Sequence, residues 1–99
     1  GKICSQVAHA SLEAFLLTQK LHPDWAEIWL KEGQKKIVLK VESEEALRQL
    51  YEEVRKEVPA VLIVDAGYTQ VEPGTVTCLG IGPAPEPLVD RYTLRYKLL

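Results

Sequence analysis

Apolar residues recur at helical spacing through the first twenty positions of the chain, in two stripes that lie side by side. Together the stripes cover an arc wider than a helix on a protein surface normally carries. The pattern predicts a helix from about Ile3 to Lys20 that packs against a sheet. Several small residues would let this helix approach the sheet closely: Ser5, Ala8, Ala10, Ser11 and Ala14.

Three further helices are predicted from capping residues and apolar spacing. Pro23 and Gly33 are typical of the first turn and the end of a short second helix. Ser43 is suited to cap a third helix, and Pro59 would stop it. The segment 84–92 predicts a last short helix near the end of the chain.

Three strands are predicted at residues 36–41, 60–67 and 75–82. The second is a continuous apolar run, which is typical of a strand buried on both faces. Strands that alternate with helices imply one α/β domain, a three-layer sandwich with a mainly parallel sheet and helices on both faces. Because α/β units place a strand before a helix such as the first one, we expect a further strand upstream of Gly1.

Composition and charge narrow the classes of protein. A chain of 99 residues with a net charge of −2 suits one globular domain and disfavours binding of nucleic acid over the whole surface. The charges are segregated, so a local basic face within residues 31–40 is compatible with that net charge. No apolar run approaches the roughly 18 residues of a membrane helix. Cys4 and Cys78 lie far apart without metal-ligand spacing, so we expect reduced thiols, a cytoplasmic protein and no metal site.

The strongest local signal for chemistry is the segment "VDAGYTQVEPGT". Asp65 follows a buried strand, and Thr69 comes four residues later, beyond Gly67. Open α/β sheets place ligands at the carboxyl ends of their strands, so this acid and hydroxyl are candidates for a site. The alternative is that Asp65 caps a turn and Thr69 is merely solvated, since Asp is a common turn residue.

Two residues of the first helix are candidates for the same site. Lys2 lies at the helix N-terminus, where a cation is normally disfavoured, so it indicates either an anion site or a solvated terminal lysine. His9 lies two turns further on, and we expect it to be a structural residue hydrogen-bonded near the site and not the general base. The sequence contains no Ser-His-Asp motif, phosphate-binding loop or zinc pattern.

Four segments, in the same order along the whole chain, resemble the archaeal and eukaryotic type of peptidyl-tRNA hydrolase: "GKICSQVAHA", "QKKIVLKV", "VDAGYTQVEPGTVTCLGIGPAPEPLVD" and "KLL". The resemblance implies a mixed four-stranded sheet flanked by helices, with the first strand lying upstream of Gly1, and a homodimer. It also implies hydrolysis of the ester of peptidyl-tRNA, which releases tRNA and peptide for recycling after abortive translation. The residues that match the implicated family positions are Lys2, Asp65, Thr69 and Thr77, with His9 on the same helix.

The resemblance suggests a division of roles. Asp65 would orient or deprotonate the attacking water, Lys2 would neutralise the oxyanion or the 3′-terminal phosphate, and the two threonines would offer hydroxyls. No metal or other cofactor is expected, because the ester is already activated. The tRNA is expected along a basic face made of Lys2 with Lys31, Lys35 and Lys36. Two alternatives are a non-catalytic module that binds tRNA or protein and an unrelated small-molecule α/β enzyme.

Overall fold

The structure, a computed structural model, describes residues 1–65 and 75–99, and at positions 65 and 75 it describes the backbone alone. These residues form four helices and two strands, in an α/β arrangement. In chain order the elements are α1 (Lys2–Leu21), α2 (Pro23–Lys31), α3 (Glu44–Val54), β1 (Ala60–Asp65), β2 (Thr75–Ile81) and α4 (Glu86–Thr93). The helices predicted from the sequence are therefore confirmed within a few residues of their expected ends.

Three of the predicted capping residues act as expected, whereas Pro59 does not stop α3, because that helix already ends at Val54, five residues earlier. Pro23 occupies the first position of α2, and Gly33 follows the end of that helix with a φ of 99°, in the left-handed region that favours glycine. Ser43 caps the N-terminus of α3, where its Oγ accepts a hydrogen bond of 3.1 Å from the backbone amide of Ala46. The bounds of α2 and the start of α3 are thus set by local chemistry.

The two strands pair antiparallel, which differs from the mainly parallel sheet expected from the sequence. Their connection explains the difference, because a parallel crossover needs about a dozen residues or more, which residues 66–74 do not supply. The expectation that the run beginning at Ala60 is buried on both faces is also wrong at Val64, which is 52% exposed. Val64 lies near the end of β1, in a sheet that has two strands among the described residues.

The strand predicted at 36–41 is wrong in extent. This segment forms a single antiparallel bridge, in which Leu39 lies opposite Leu98. The Lys40 amide donates to the Lys97 carbonyl at 3.0 Å, and the Leu99 amide donates to the Val38 carbonyl at 3.1 Å. The partner of this segment is residues 97–99, far away in the chain, and among the described residues the pairing consists of this bridge.

Helix α1 lies unusually close to β2, and small residues make this possible. Ala10 and Ala14 are each 3% exposed, and Gly80 of β2 lies against both of them. A Cβ atom at Gly80 would overlap the carbonyl oxygen of Ala10 and would lie 3.0 Å from the Ala14 Cβ. The predicted close approach of the first helix to the sheet is confirmed at this contact.

A second set of apolar contacts joins α3 and α4 to the strands. Leu50, Val54, Val58 and Ala60 form a buried cluster at the end of α3 and the start of β1. Leu79 and Ile81 of β2 pack against this cluster, together with Leu88, Val89 and Tyr92 of α4. None of the helices in residues 1–65 and 75–99 has the length and apolar character needed to cross a membrane.

The substitution Gly80→Ala tests whether the contact between α1 and β2 is as tight as the structure indicates. The added methyl group meets a backbone atom that cannot move without shifting the helix, so we expect a loss of stability of about 1–3 kcal/mol. Urea denaturation measures this loss. Gly1→Ala is the matched control, because a Cβ there meets nothing within 4 Å and should cost less than about 1 kcal/mol. Equal stability of Gly80→Ala and the wild type would contradict the close contact.

Candidate active site

A recess of about 180 Å³ lies where the N-terminus of α1 faces β2. Its polar lining consists of Lys2 and Gln6 from the helix and Thr77 and Cys78 from the strand. Ile3 and Val7 complete its wall with apolar side chains. Two of the residues predicted from the sequence, Lys2 and Thr77, therefore meet in one recess although they are far apart in the chain.

The α1 end of this recess favours negative charge. Lys2 is the first residue of the helix, Gly1 provides no side-chain cap, and the first turn contains no acidic residue. The partial positive charge of the helix terminus is therefore not offset by a carboxylate in that turn. Unpaired backbone amides of a first turn bind anions, and the Lys2 ammonium adds a full charge at the same place. This end of the recess therefore has the polarity that suits an anionic group.

Thr77 occupies an irregularity in the strand pairing. Ile63 lies opposite Cys78, whereas Val64 lies opposite Val76, so β2 has one residue more than β1 at this point, and that residue is Thr77. A bulge of this kind bends the strand and re-aims a side chain. The Thr77 hydroxyl donates to the Ile63 carbonyl at 3.4 Å, which is long for such a bond, so a ligand can compete for this hydroxyl.

The predicted acid ends the strand beside this bulge. Asp65 is the last residue of β1, opposite Thr75 and two positions beyond Ile63, whose carbonyl accepts from Thr77. The backbone therefore places position 65 near the bulge and at the carboxyl end of its strand, as the sequence predicted. Thr69 lies outside the described residues.

His9 does not join the recess. It is exposed on α1, seven residues beyond Lys2, and it is not among the residues that line the recess. At about 1.5 Å per residue, the two positions are roughly 10 Å apart along the helix axis. The prediction that His9 acts indirectly stays a prediction.

Gln6 and Cys78 also line the recess, and neither is among the site residues predicted from the sequence. Gln6 follows Lys2 by four residues, so the helical repeat places them on one face, and that spacing could have identified Gln6. Burial raises the pKa of the Cys78 thiol, and a backbone hydrogen bond at Leu79 partly opposes this effect. At neutral pH Cys78 therefore contributes an uncharged thiol to the lining of the recess and is not a thiolate nucleophile.

The three other lysines predicted to bind tRNA lie away from the recess. Lys36 is stacked over the Trp29 ring at 5.1 Å, and that ring lies 5.7 Å from the ring of Phe15. Phe15 is thirteen residues after Lys2, which corresponds to about 20 Å along α1. Lys36 is thus separated from Lys2 and the recess by more than half the length of the helix.

These lysines already have partners on the protein surface. Lys31 pairs with Glu27 at 2.9 Å, and Lys35 pairs with Glu86 at 3.6 Å. The Lys36 ammonium donates to the Gln34 carbonyl at 2.9 Å. Exposed ion pairs of this kind are worth about 1 kcal/mol or less, so phosphates can replace the carboxylates. In the part of the chain that the structure describes, no group of three or more His, Cys, Asp or Glu residues could hold a metal ion.

Comparisons with known proteins identify the family of this chain. The family model described as "Peptidyl-tRNA hydrolase PTH2" matches residues 1–99. The chain is 49% identical over 100 residues to a peptidyl-tRNA hydrolase of Thermococcus onnurineus, covering 100% of this chain and 85% of that protein. It is 49% identical over 104 residues to a peptidyl-tRNA hydrolase of Sulfurisphaera tokodaii, covering 100% of this chain and 86% of that protein. It is 53% identical over 94 residues to a peptidyl-tRNA hydrolase of Methanopyrus kandleri, covering 94% of this chain and 80% of that protein. The chain belongs to the PTH2 family of peptidyl-tRNA hydrolases.

Proposed function

We propose that this protein hydrolyses the ester bond of peptidyl-tRNA, releasing free tRNA and a peptide for recycling after abortive translation. The observation that carries the proposal is the recess in which Lys2 at the positive end of α1 meets Thr77 of β2. Family membership over residues 1–99 supports the same substrate. The activity is that of a carboxylic ester hydrolase.

The proposed roles follow from the charges that develop during ester hydrolysis. Attack of water on the ester carbonyl creates an oxyanion, which Lys2 and the α1 terminus would stabilise by a few kcal/mol. The loosely held hydroxyl of Thr77 can donate to the substrate, and Thr69 is proposed to do the same. Asp65, at the end of β1, is proposed to orient or deprotonate the water. His9 is proposed to act only through neighbouring groups, and the mechanism uses no metal or other cofactor.

The tRNA is proposed to run from Lys2 to the basic face of Lys31, Lys35 and Lys36. A separation of about 20 Å between these places suits a large nucleic acid better than a small ligand. The tryptophan below Lys36 holds that ammonium at the surface, where a phosphate can reach it. The two free cysteines agree with action in the reducing cytoplasm.

We propose that the domain is a three-layer α/β sandwich and that its sheet has four strands. Gly80 packs on α1, whereas its neighbours Leu79 and Ile81 pack on the cluster around α3, so consecutive residues of β2 contact different helices. A strand upstream of Gly1 would join this sheet and, being connected through helices, would run parallel to a neighbour beside the antiparallel pair.

The protein is further proposed to form a homodimer through the outer face of α1. Six exposed residues follow this face, and none is Asp, Glu, Lys or Arg, although surface helices normally carry such residues there: Ser5, Ala8, His9, Leu12, Leu16 and Gln19. Leu12 is 56% exposed and Leu16 is 47% exposed. The sheet packs on the opposite side of α1, so a strand added to it would not cover these leucines.

A second copy of the chain fits this face by size and polarity. Around a two-fold axis at Leu12, an antiparallel copy of α1 would place Leu16 against Ala8 and Gln19 against Ser5. A large side chain then meets a small one, and a polar side chain meets a polar one. The face is therefore self-complementary, which is what a symmetric dimer requires.

We expect Asp65→Asn to fold normally and to lose most of the hydrolysis of N-acetylaminoacyl-tRNA, by roughly 10²–10⁴-fold in kcat. His9→Ala, measured in parallel, should lose far less, because His9 is exposed and lies outside the recess. Release of acid-soluble label gives the rates, and circular dichroism checks the fold. Near-normal turnover by folded Asp65→Asn would remove Asp65 from the mechanism. Wild-type protein that binds peptidyl-tRNA without turnover would instead indicate the non-catalytic binding module.

The double variant Lys35→Glu with Lys36→Glu should weaken tRNA binding about tenfold or more, with a smaller dependence of affinity on salt. The cause is the loss of two phosphate contacts and the addition of two repelling charges. Filter binding at several salt concentrations measures it. Lys56→Glu is the matched control, since this exposed lysine lies outside the basic face. Equal affinities of the double variant and the wild type would exclude the basic face.

The substitution Leu12→Lys should convert the dimer into a monomer, because two ammonium groups would meet at the symmetry axis. Sedimentation equilibrium measures the mass, which for one chain is 11.1 kDa. Leu94→Lys is the control, because Leu94 is 78% exposed and lies on α4's C-terminal side, away from the proposed interface. A wild type that is monomeric at about 100 μM, or a Leu12→Lys variant that stays dimeric, would refute this interface.

A further inference from the structure

Glu44 makes a contact that links α3 to the bulged part of β2. It is the first residue of α3, and its Oε1 atom accepts a hydrogen bond of 3.1 Å from the backbone amide of Val76. Its other oxygen, Oε2, accepts from Arg48 Nε at 3.3 Å. The first bond joins positions that are 32 residues apart in the chain. It therefore fixes tertiary structure, unlike the second, which lies within one helix.

The bond between Glu44 and the Val76 amide lies directly beside the bulge in β2. Val76 directly precedes Thr77, the additional residue of the bulge, and Val76 is only 4% exposed. A buried backbone amide needs an acceptor, and a carboxylate is a stronger one than a neutral carbonyl. Glu44 thus supplies that acceptor one residue away from the hydroxyl that faces the recess.

We propose that Glu44 is a positioning residue, which holds the bulge of β2 and thereby aims the Thr77 hydroxyl into the recess beside Lys2. The proposal rests on the proposed function in one respect, namely that Thr77 contributes to ester hydrolysis. Glu44 itself touches no reacting atom in this scheme. It acts on the reaction through Val76 and Thr77, by keeping the strand in the shifted register on which the direction of the hydroxyl depends.

The neighbouring acid, Glu45, is a control that distinguishes the bond to Val76 from a general effect of a carboxylate at the helix terminus. Glu45 shares the first turn of α3 with Glu44, so both carboxylates interact favourably with the helix terminus. Among the described side chains and backbone of β2, the bond from an acid of this turn is the one between Glu44 and the Val76 amide. A difference between the two acids therefore reports the contact with Val76 and not the helix dipole.

The experiment compares Glu44→Ala, Glu44→Gln and Glu45→Ala in the full chain. We expect Glu44→Ala to lower kcat for N-acetylaminoacyl-tRNA by roughly 10- to 100-fold with little change in KM, because the hydroxyl is displaced from its productive position. Glu44→Gln keeps an oxygen acceptor for the Val76 amide, so it should recover most of kcat. Glu45→Ala should retain the wild-type rate. A Glu44→Ala variant that folds and keeps the wild-type kcat would overturn the proposal.

A double-variant cycle with Thr77→Val adds the decisive readout. Once the hydroxyl is absent, Glu44→Ala should reduce kcat by less than about threefold further, because both changes remove the same contribution. If the loss of kcat in the double variant equals the product of the losses in the two single variants, the positioning role is overturned. Hydrogen exchange of the Val76 amide should accelerate in Glu44→Ala and not in Glu45→Ala, whatever the substrate proves to be. Unchanged exchange would refute the contact itself, whereas a wild type without hydrolase activity would refute only the proposed function.

Discussion

The close contact of α1 with β2 at Gly80 is the constraint on which the arrangement of the site depends. Ala10 and Ala14 press against a residue that has no side chain, so helix and strand cannot slide past each other without a clash. Lys2 lies eight residues before Ala10, or about 12 Å along the helix. Thr77 lies three residues before Gly80, or about 10 Å along the strand. One fixed contact therefore determines how far apart the ammonium and the hydroxyl stand.

Strand β2 is held at two points, and the recess lies near both. Gly80 fits against α1, and the amide of Val76 donates to Glu44 of α3. Thr77 and Cys78, which line the recess, lie between these two points. The charges are also distributed in a consistent way, since a carboxylate binds the backbone behind the bulge while the positive end of α1 faces the recess. The Glu44 carboxylate thus lies beside a backbone donor, and the positive helix terminus lies beside the recess.

Much of the fold and part of the site could be predicted from local patterns. Helical periodicity and the caps at Pro23 and Ser43 gave α1, α2 and α3, because these signals act within a few residues. The sheet was harder, because the direction of pairing depends on the length of the connection and the strand at 36–41 depends on a partner elsewhere in the chain. Lys2 could be identified from its place at the start of α1, and Thr77 by resemblance to a family. The bulge and its bond to Glu44 follow from tertiary contacts that no periodicity reveals.

The ion pairs on the basic face have a consequence for the way in which an anionic polymer would be received. Lys31 and Lys35 each already have a carboxylate as neighbour, so a phosphate that binds there displaces a tethered anion of the protein and leaves Glu27 or Glu86 to attract a cation from solution. Association at these positions is then an exchange in which cations released from the polymer are partly taken up again by the protein. A face of this kind resists indiscriminate adsorption and favours a polymer whose shape also engages the distant recess.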